Sequence, residues 1–328
     1  MQPIVVCNCD IFDLERGIVT MFSISDNETS YYVEHSATSY PGAYTRLFTG
    51  LPKDVAELCR IVQGSMLHVF WAERYGITLA EGRAQAVNLR RVERLLARHQ
   101  EIEQTPLLEA RPLEKRLVGN CRTFSVLLCA MLRHVGIPAR ARCGFGRYFL
   151  PDRFEDHWVC EYWHEAENRW VMVDAQLDAL QCEVLNILFD PFDVPRDQFI
   201  VGGKAWHWCR SGKEDPEKFG IFDMHGLWFV RGDFVRDVAA LNKEPLLPWD
   251  CWGLIDRKDD AISSGEWELL DEVALLTFDD VNYPAIRTVY QEKDGFAVPD
   301  IVRSYPGNDP IQVEVATEKV VGQAVGLV

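Results

Sequence analysis

The sequence predicts an α+β fold in which one buried helix packs on an antiparallel sheet. Three observations predict it. Phe124, Leu127, Leu128, Met131, Leu132 and Val135 fall at the spacing of one apolar helix face. Two strand-like runs follow, HWVCEYW at 157–163 and RWVMVD at 169–174, joined by the turn-like Glu165-Ala166-Glu167-Asn168. A helix followed by consecutive strands, rather than strict alternation, is the α+β order.

The other elements are assigned in chain order. Residues 1–50 read as irregular or strand-rich, with turn signals at Ser25-Asp26-Asn27 and Tyr40-Pro41-Gly42. Asp54 can cap a helix carrying Val55, Leu58, Cys59 and Val62. A second helix is expected over 80–99, where Val87, Leu89, Val92, Leu95 and Leu96 alternate with charged residues. Residues 101–117, with Pro106 and Pro112, form a polar connection. The central helix stops where Gly136 can take a left-handed cap and Pro138 forbids continuation. Residues 139–144 make a strand running into Gly144-Phe145-Gly146. Residues 180–255 are rich in tryptophan, with a helix expected at 233–241. The chain after Lys258 is acidic and ends in the soft apolar run 320–328. With no clean linker, 1–328 is expected to form one elaborated domain. Its parts are an N-terminal helical or irregular section (1–110), a core (115–180) and a C-terminal aromatic-rich extension (181–328).

Composition narrows the function. At 328 residues, 48% hydrophobic and 26% charged, the chain reads as a soluble globular protein. It lacks the apolar run of roughly 20 residues that spans a bilayer. Acidic residues stand where a signal peptide needs bases, so a cytoplasmic location is expected and no membrane partner. The net charge of −16 argues against nucleic acid. The same acidity would suit amine-bearing substrates. The ten cysteines are scattered without a CxxC pair, and Cys7-Asn8-Cys9 lacks a second cluster at zinc spacing. Neither HExxH nor a Gly-rich nucleotide loop occurs, so no metal and no cofactor is expected.

One constellation carries chemistry. Cys121 opens the central helix behind Gly119 and Asn120, where free N–H groups and the helix dipole favour a thiolate. A thiol nucleophile needs an imidazole to take and return its proton, and His157 opens the next long strand. The imidazole needs an acceptor on its other nitrogen, and Asp174 ends the strand after that. If the two strands pair across 165–168, His157 and Asp174 lie side by side. Each residue alone has an ordinary structural reading. The order and spacing of all three favour catalysis.

The stretches GNCRTFSVLLCAMLRHVGIPARARCGFG (119–146), DHWVCEYW (156–163) and RWVMVD (169–174) resemble the core of the transglutaminase-like superfamily. The resemblance is close over 115–180. It implies a papain-like arrangement with Cys121 as nucleophile, His157 as general base and acid, and Asp174 as orienter. Two departures stand out: Asp174 is followed by Ala175-Gln176 where the family often has proline, and no calcium site of the animal enzymes is recognisable. The implied reaction is acyl transfer through an acyl-enzyme on a peptide, amine or carrier-bound acyl substrate. The runners-up are a cysteine peptidase or amidase and a catalytically idle binding module. Gln63, Trp158 and Asn120 are the candidates for oxyanion or substrate contacts beyond the Cys121 backbone N–H. Trp71 and the aromatic 206–252 segment are possible channel walls.

Overall fold

A computed structural model describes residues 26–80, 82–278, 280–307 and 309–324. Within 26–50 the chain is helical where an irregular or strand-rich stretch was expected. Helix α1 (Asp26–Val33) begins at the supposed turn, and a 3₁₀ segment covers Gly42–Phe48. The earlier part of the 1–50 reading, with Cys7 and Cys9, lies outside the described residues. Helix α2 (Val55–Ser65) is capped as expected, Asp54 accepting from the Glu57 N–H at 2.8 Å. It runs directly into the short strand β1 (Met66–His68).

The helix expected over 80–99 is instead two pieces. A 3₁₀ turn covers Ala84–Asn88, and α3 is Val92–Ile102. Charge decides the break. Arg90 is buried and pairs with Asp250 at 2.6 Å, and the Arg90 and Arg91 N–H groups donate to the Glu318 carboxylate, so the chain extends there. Strand β2 (Leu117–Gly119) pairs in parallel with β1, beginning at the last residue of the stretch read as a polar connection.

Helix α4 (Cys121–His134) is the central helix. Its apolar face joins Ala139, Ala141, Cys143, Trp158 and Cys160 in one core cluster, so it packs on the sheet as predicted. The sheet contains β3 (Ala139–Gly146), β4 (Phe154–His164) and β5 (Arg169–Val173), all antiparallel. After α5 (Ala179–Val184), β6 (Phe199–Val201) adds to the outer edge of β3. Helix α6 (Gly202–Arg210) follows, and then the hairpin of β7 (Phe219–Ile221) and β8 (Met224–His225).

Strand β7 pairs with β4 only at Phe154 and Glu155, and β5 pairs with it only from Cys160 onward. Both lie on the side of β4 away from β3. Residues 156–159 therefore have no strand partner on that side among the described residues.

Helix α7 (Leu227–Leu241) starts well before the expected 233 and packs on β3. With β9 (Asp250–Cys251), α8 (Ser264–Ala274) and α9 (Tyr283–Glu292) it forms a second apolar cluster. The acidic tail is a sheet, with β10 (Ile301–Ser304), β11 (Ile311–Glu314) and β12 (Lys319–Gln323) completing the order β12-β11-β10-β9. Among the described residues no helix is long and apolar enough to cross a membrane.

Buried charge stitches the two clusters together. Glu161 binds Arg140 at 2.7 Å and Arg142 at 3.1 Å. Arg142 continues to Asp237 of α7 at 2.8 Å and to the Thr277 carbonyl at 2.6 Å. Burial alone would raise the Glu161 pKa, but Arg140, Arg142 and Arg196 override it and hold the carboxyl well below the usual range. The sheet that carries the candidate residues is thus clamped from both ends of the chain.

Candidate active site

The junction of β2 and α4 is built for close approach. A Cβ on Gly119 would stand 2.4 Å from the end of the flexible Met66 side chain and 3.0 Å from the Thr123 Cβ, so a larger residue there would force Met66 to shift. Asn120 caps α4, its Oδ1 accepting from the Thr123 N–H at 3.0 Å and the Thr123 hydroxyl at 2.9 Å. That capping box places Cys121 at the first helical position. The sulfur reaches backbone N–H groups of Arg122 and of Trp158, the latter in the stretch of β4 where no strand pairs.

The thiol is not the activated thiolate that its helix position suggests. Cys121 is 8% exposed. Burial pushes its pKa well above that of a free thiol, the Asp156 carboxylate adds to the rise, and the two N–H groups only partly offset it. At rest the sulfur is protonated, so its proton must leave as it attacks.

His157 and Asp174 are joined directly, His157 Nε2 lying 2.8 Å from Asp174 Oδ2. The register explains this: Cys160 faces Val173, which sets Asp174 diagonally across from His157 at the end of β5. Asp174 is also held by the Tyr148 hydroxyl on Oδ2 at 2.8 Å and the Gln176 N–H on Oδ1 at 3.0 Å. The residues that replace proline after Asp174 thus supply a donor to it. With Nε2 engaged, Nδ1 is the His157 nitrogen left for the sulfur. The imidazole is walled by Phe149, with ring centroids 4.8 Å apart at 66°.

Cys121, His157 and Asn120 line one cavity of about 870 Å³, together with Trp71, Glu155 and Asp156. Asn120 enters this site with its Nδ2 uncommitted, because only its oxygen is used by the cap. Two other candidates fall elsewhere. Gln63 lines a separate void of about 10 Å³, and its Nε2 donates to the Leu177 carbonyl at 3.2 Å. The Trp158 ring is wholly buried in the α4 core. Neighbours on a strand face opposite ways, and Trp158 takes the core side while His157 turns to Asp174. Only the Trp158 backbone reaches the sulfur.

Two participants were not picked from the sequence. Tyr148 sits in the loop after β3, where no spacing rule points to Asp174. The other is His68, which stands in no HExxH pattern. It pairs in register with Gly119 and lines the cavity. Burial first, and then the nearby His157, lower its pKa to about 3, so it is a neutral imidazole. Its Nδ1 accepts from the Phe70 N–H at 3.3 Å, which leaves the proton on Nε2. The signal available was its position in an apolar run just after the capped helix.

The tryptophan-rich segment divides between two roles. Trp206 and Trp252 are core, whereas Trp228 and Trp249 line the cavity. Cys143, Asp156 and Asp233 form a buried group with ligand atoms within 4.8 Å of one another, a set that could hold a metal ion where none was expected. Arg236 already stands against Asp233 at 3.1 Å. Burial raises both carboxyl pKa values, and Asp156 raises that of Asp233 further. A shared proton therefore satisfies the pair with the Arg236 charge in place.

The fold is α+β, and the site belongs to the thiol type. Residues 77–175, just under a third of the chain, match the model of the transglutaminase-like superfamily, in line with the resemblance read from the sequence. A solved structure named as a "Putative Cysteine Protease from Cytophaga hutchinsonii" is similar at 16% identity over 54% of this chain, with a TM-score of 0.31. The match spans 46% of that structure's own chain. Comparison with curated proteins found no match.

Proposed function

We propose that this protein is a thiol acyltransferase working through Cys121, His157 and Asp174. The reading rests on the 2.8 Å His157–Asp174 bond in a cavity that also holds Cys121. His157 Nδ1 takes the thiol proton as Cys121 Sγ bonds to the carbonyl carbon of an amide, ester or thioester. The proton then passes to the leaving amine, alcohol or thiol as its bond to carbon breaks. The tetrahedral oxyanion is received by the Cys121 backbone N–H, the Asn120 Nδ2 and the neutral His68 Nε2–H. An amine attacks the acyl-enzyme and gives its proton to His157, which returns it to Cys121 Sγ as the thioester bond breaks.

Transfer rather than hydrolysis is favoured by two features of the cavity. Its walls are mainly apolar, which disfavours free water beside the acyl-enzyme. Glu155 and Asp156 also line it, and carboxylates attract an incoming amine.

The test is intact-mass and product analysis with an acyl thioester, with and without a primary amine. One acyl adduct on wild type and none on Cys121→Ala, with amide product in the presence of amine, is the expected result. Release of free acid alone would make the protein a hydrolase, and absence of any adduct would remove the enzyme reading.

A further inference from the structure

The cavity mouth carries a feature that catalysis by the three residues does not require. Strands β7 and β8 are joined by a two-residue turn, Phe222-Asp223. Phe222 occupies its first position with φ 55°. Two-residue hairpin turns need positive φ there and normally use glycine or asparagine, because a side chain is strained in the left-handed region. A phenylalanine is a costly choice, and its ring is 68% exposed. Neither packing nor turn geometry accounts for it. Strain of this kind persists where the side chain is used.

The Phe222 ring meets the Phe70 ring edge to face, with centroids 5.2 Å apart at 89°. Phe70 follows β1 two residues after His68 and is also exposed. The pair therefore bridges the N-terminal and C-terminal sections of the chain across the opening of the Cys121 cavity, and both rings line it. Met224 and Trp228, exposed beside them, continue the apolar rim, and Phe149 carries the aromatic wall inward to His157.

We infer that Phe70 and Phe222 select an acyl donor whose acyl group is aromatic, its ring taking the kind of edge-to-face position that the two side chains give each other. The inference rests on the acyl-transfer reading above and adds the substrate class. Edge-to-face stacking favours a planar ring over an alkyl chain of equal area.

The test compares acylation rates of Cys121 with acetyl, hexanoyl and 3-phenylpropionyl thioesters, read by intact mass. Wild type, Phe222→Asn and Phe222→Gly are used, with Tm measured for each. Asparagine and glycine both suit positive φ, so the backbone is relieved while the ring is lost. Wild type should acylate with phenylpropionyl at least tenfold faster than with hexanoyl. Both variants should lose that preference, the phenylpropionyl rate falling to the hexanoyl rate, and show an unchanged or higher Tm. Equal phenylpropionyl and hexanoyl rates in wild type would overturn the inference while leaving acyl transfer intact. A fall in Tm and in all three rates together would make Phe222 structural and overturn it too. Failure of wild type to take even the acetyl group would instead remove the acyl-transfer reading, and this inference with it.

Discussion

The Tyr148 hydroxyl donates to Asp174 Oδ2, the same oxygen that binds His157, and each contact measures 2.8 Å. One carboxylate oxygen thus faces both an imidazole and a phenol. Burial and the Asp174 charge push the phenol pKa well above its ordinary value, so it stays a donor. Tyr148→Phe should leave the fold intact and lower kcat by about tenfold, the worth of one hydrogen bond to a charged group. Steady-state kinetics on the acyl substrate, with KM and kcat separated, measures this. An unchanged kcat would mean that Asp174 is held adequately by His157 and Gln176 alone.

Cys121 should react slowly with small alkylating agents near neutral pH. Its buried thiol stays protonated until well above the pH that ionises a free cysteine. Alkylation by iodoacetamide, followed by peptide mapping because other cysteines are present, should show Cys121 slower than a model thiol at pH 7. Its rate should keep climbing above pH 9. Rapid labelling at pH 6 would instead require a preformed ion pair with His157.

The Asp156–Asp233 pair sets a pH dependence with a definite sign. Both carboxyl pKa values are raised by burial, and that of Asp233 also by its neighbour. The folded state therefore holds protons that the unfolded chain has released. The associated stability is complete below the ordinary carboxylate pKa and is lost as pH rises through about 6, where Asp156 titrates. Asp233→Asn keeps the shape and removes one titrating group. Between pH 5 and pH 8 its urea midpoint should fall less than that of wild type. Equal falls would show that the two carboxyls do not share a proton.

Glu161 should be the most damaging single position outside the site. Its carboxylate pairs with Arg140 and Arg142, both fully buried, and with Arg196, while Glu28 and Asp237 supply the other two charges of the network. Glu161→Gln leaves these guanidinium groups short of a counter-charge, at a cost of about 3–5 kcal/mol. Urea denaturation measures it. A loss under 1 kcal/mol would mean that Asp237 and the carbonyl partners already satisfy the network.

The parts of the fold set by local pattern were readable in the sequence. The apolar face of α4, its Asn120 cap and the turn at 165–168 all depend on residues a few positions apart, and each lies where expected. The placement of His157 beside Asp174 followed because one short turn fixes the register of β4 and β5. What was missed depends on distant partners. The break before α3 comes from Arg90 meeting Asp250 across the molecule. Gln63 lies outside the Cys121 cavity because α2 ends at Ser65 and its amide meets Leu177, while His68 comes alongside Gly119. Trp158 adjoins His157, and neighbours on a strand face opposite ways, so its ring enters the core. The raised thiol pKa of Cys121 reflects enclosure, to which elements from the whole chain contribute.

The stretch recognisable by family likeness, 77–175, omits what neutralises it. Arg142 spends its charge on Asp237 and Thr277, and Arg122, next to the nucleophile, gives its Nε–H to the Pro245 carbonyl at 2.9 Å. Excised, the stretch would keep Glu161 for Arg142 and the Leu89 and Arg90 carbonyls for Arg122, but would leave the Asp237, Thr277 and Pro245 partners behind. In this chain, then, the recognisable stretch is not a self-contained cassette: part of what pairs its buried charge is carried by residues well beyond its end.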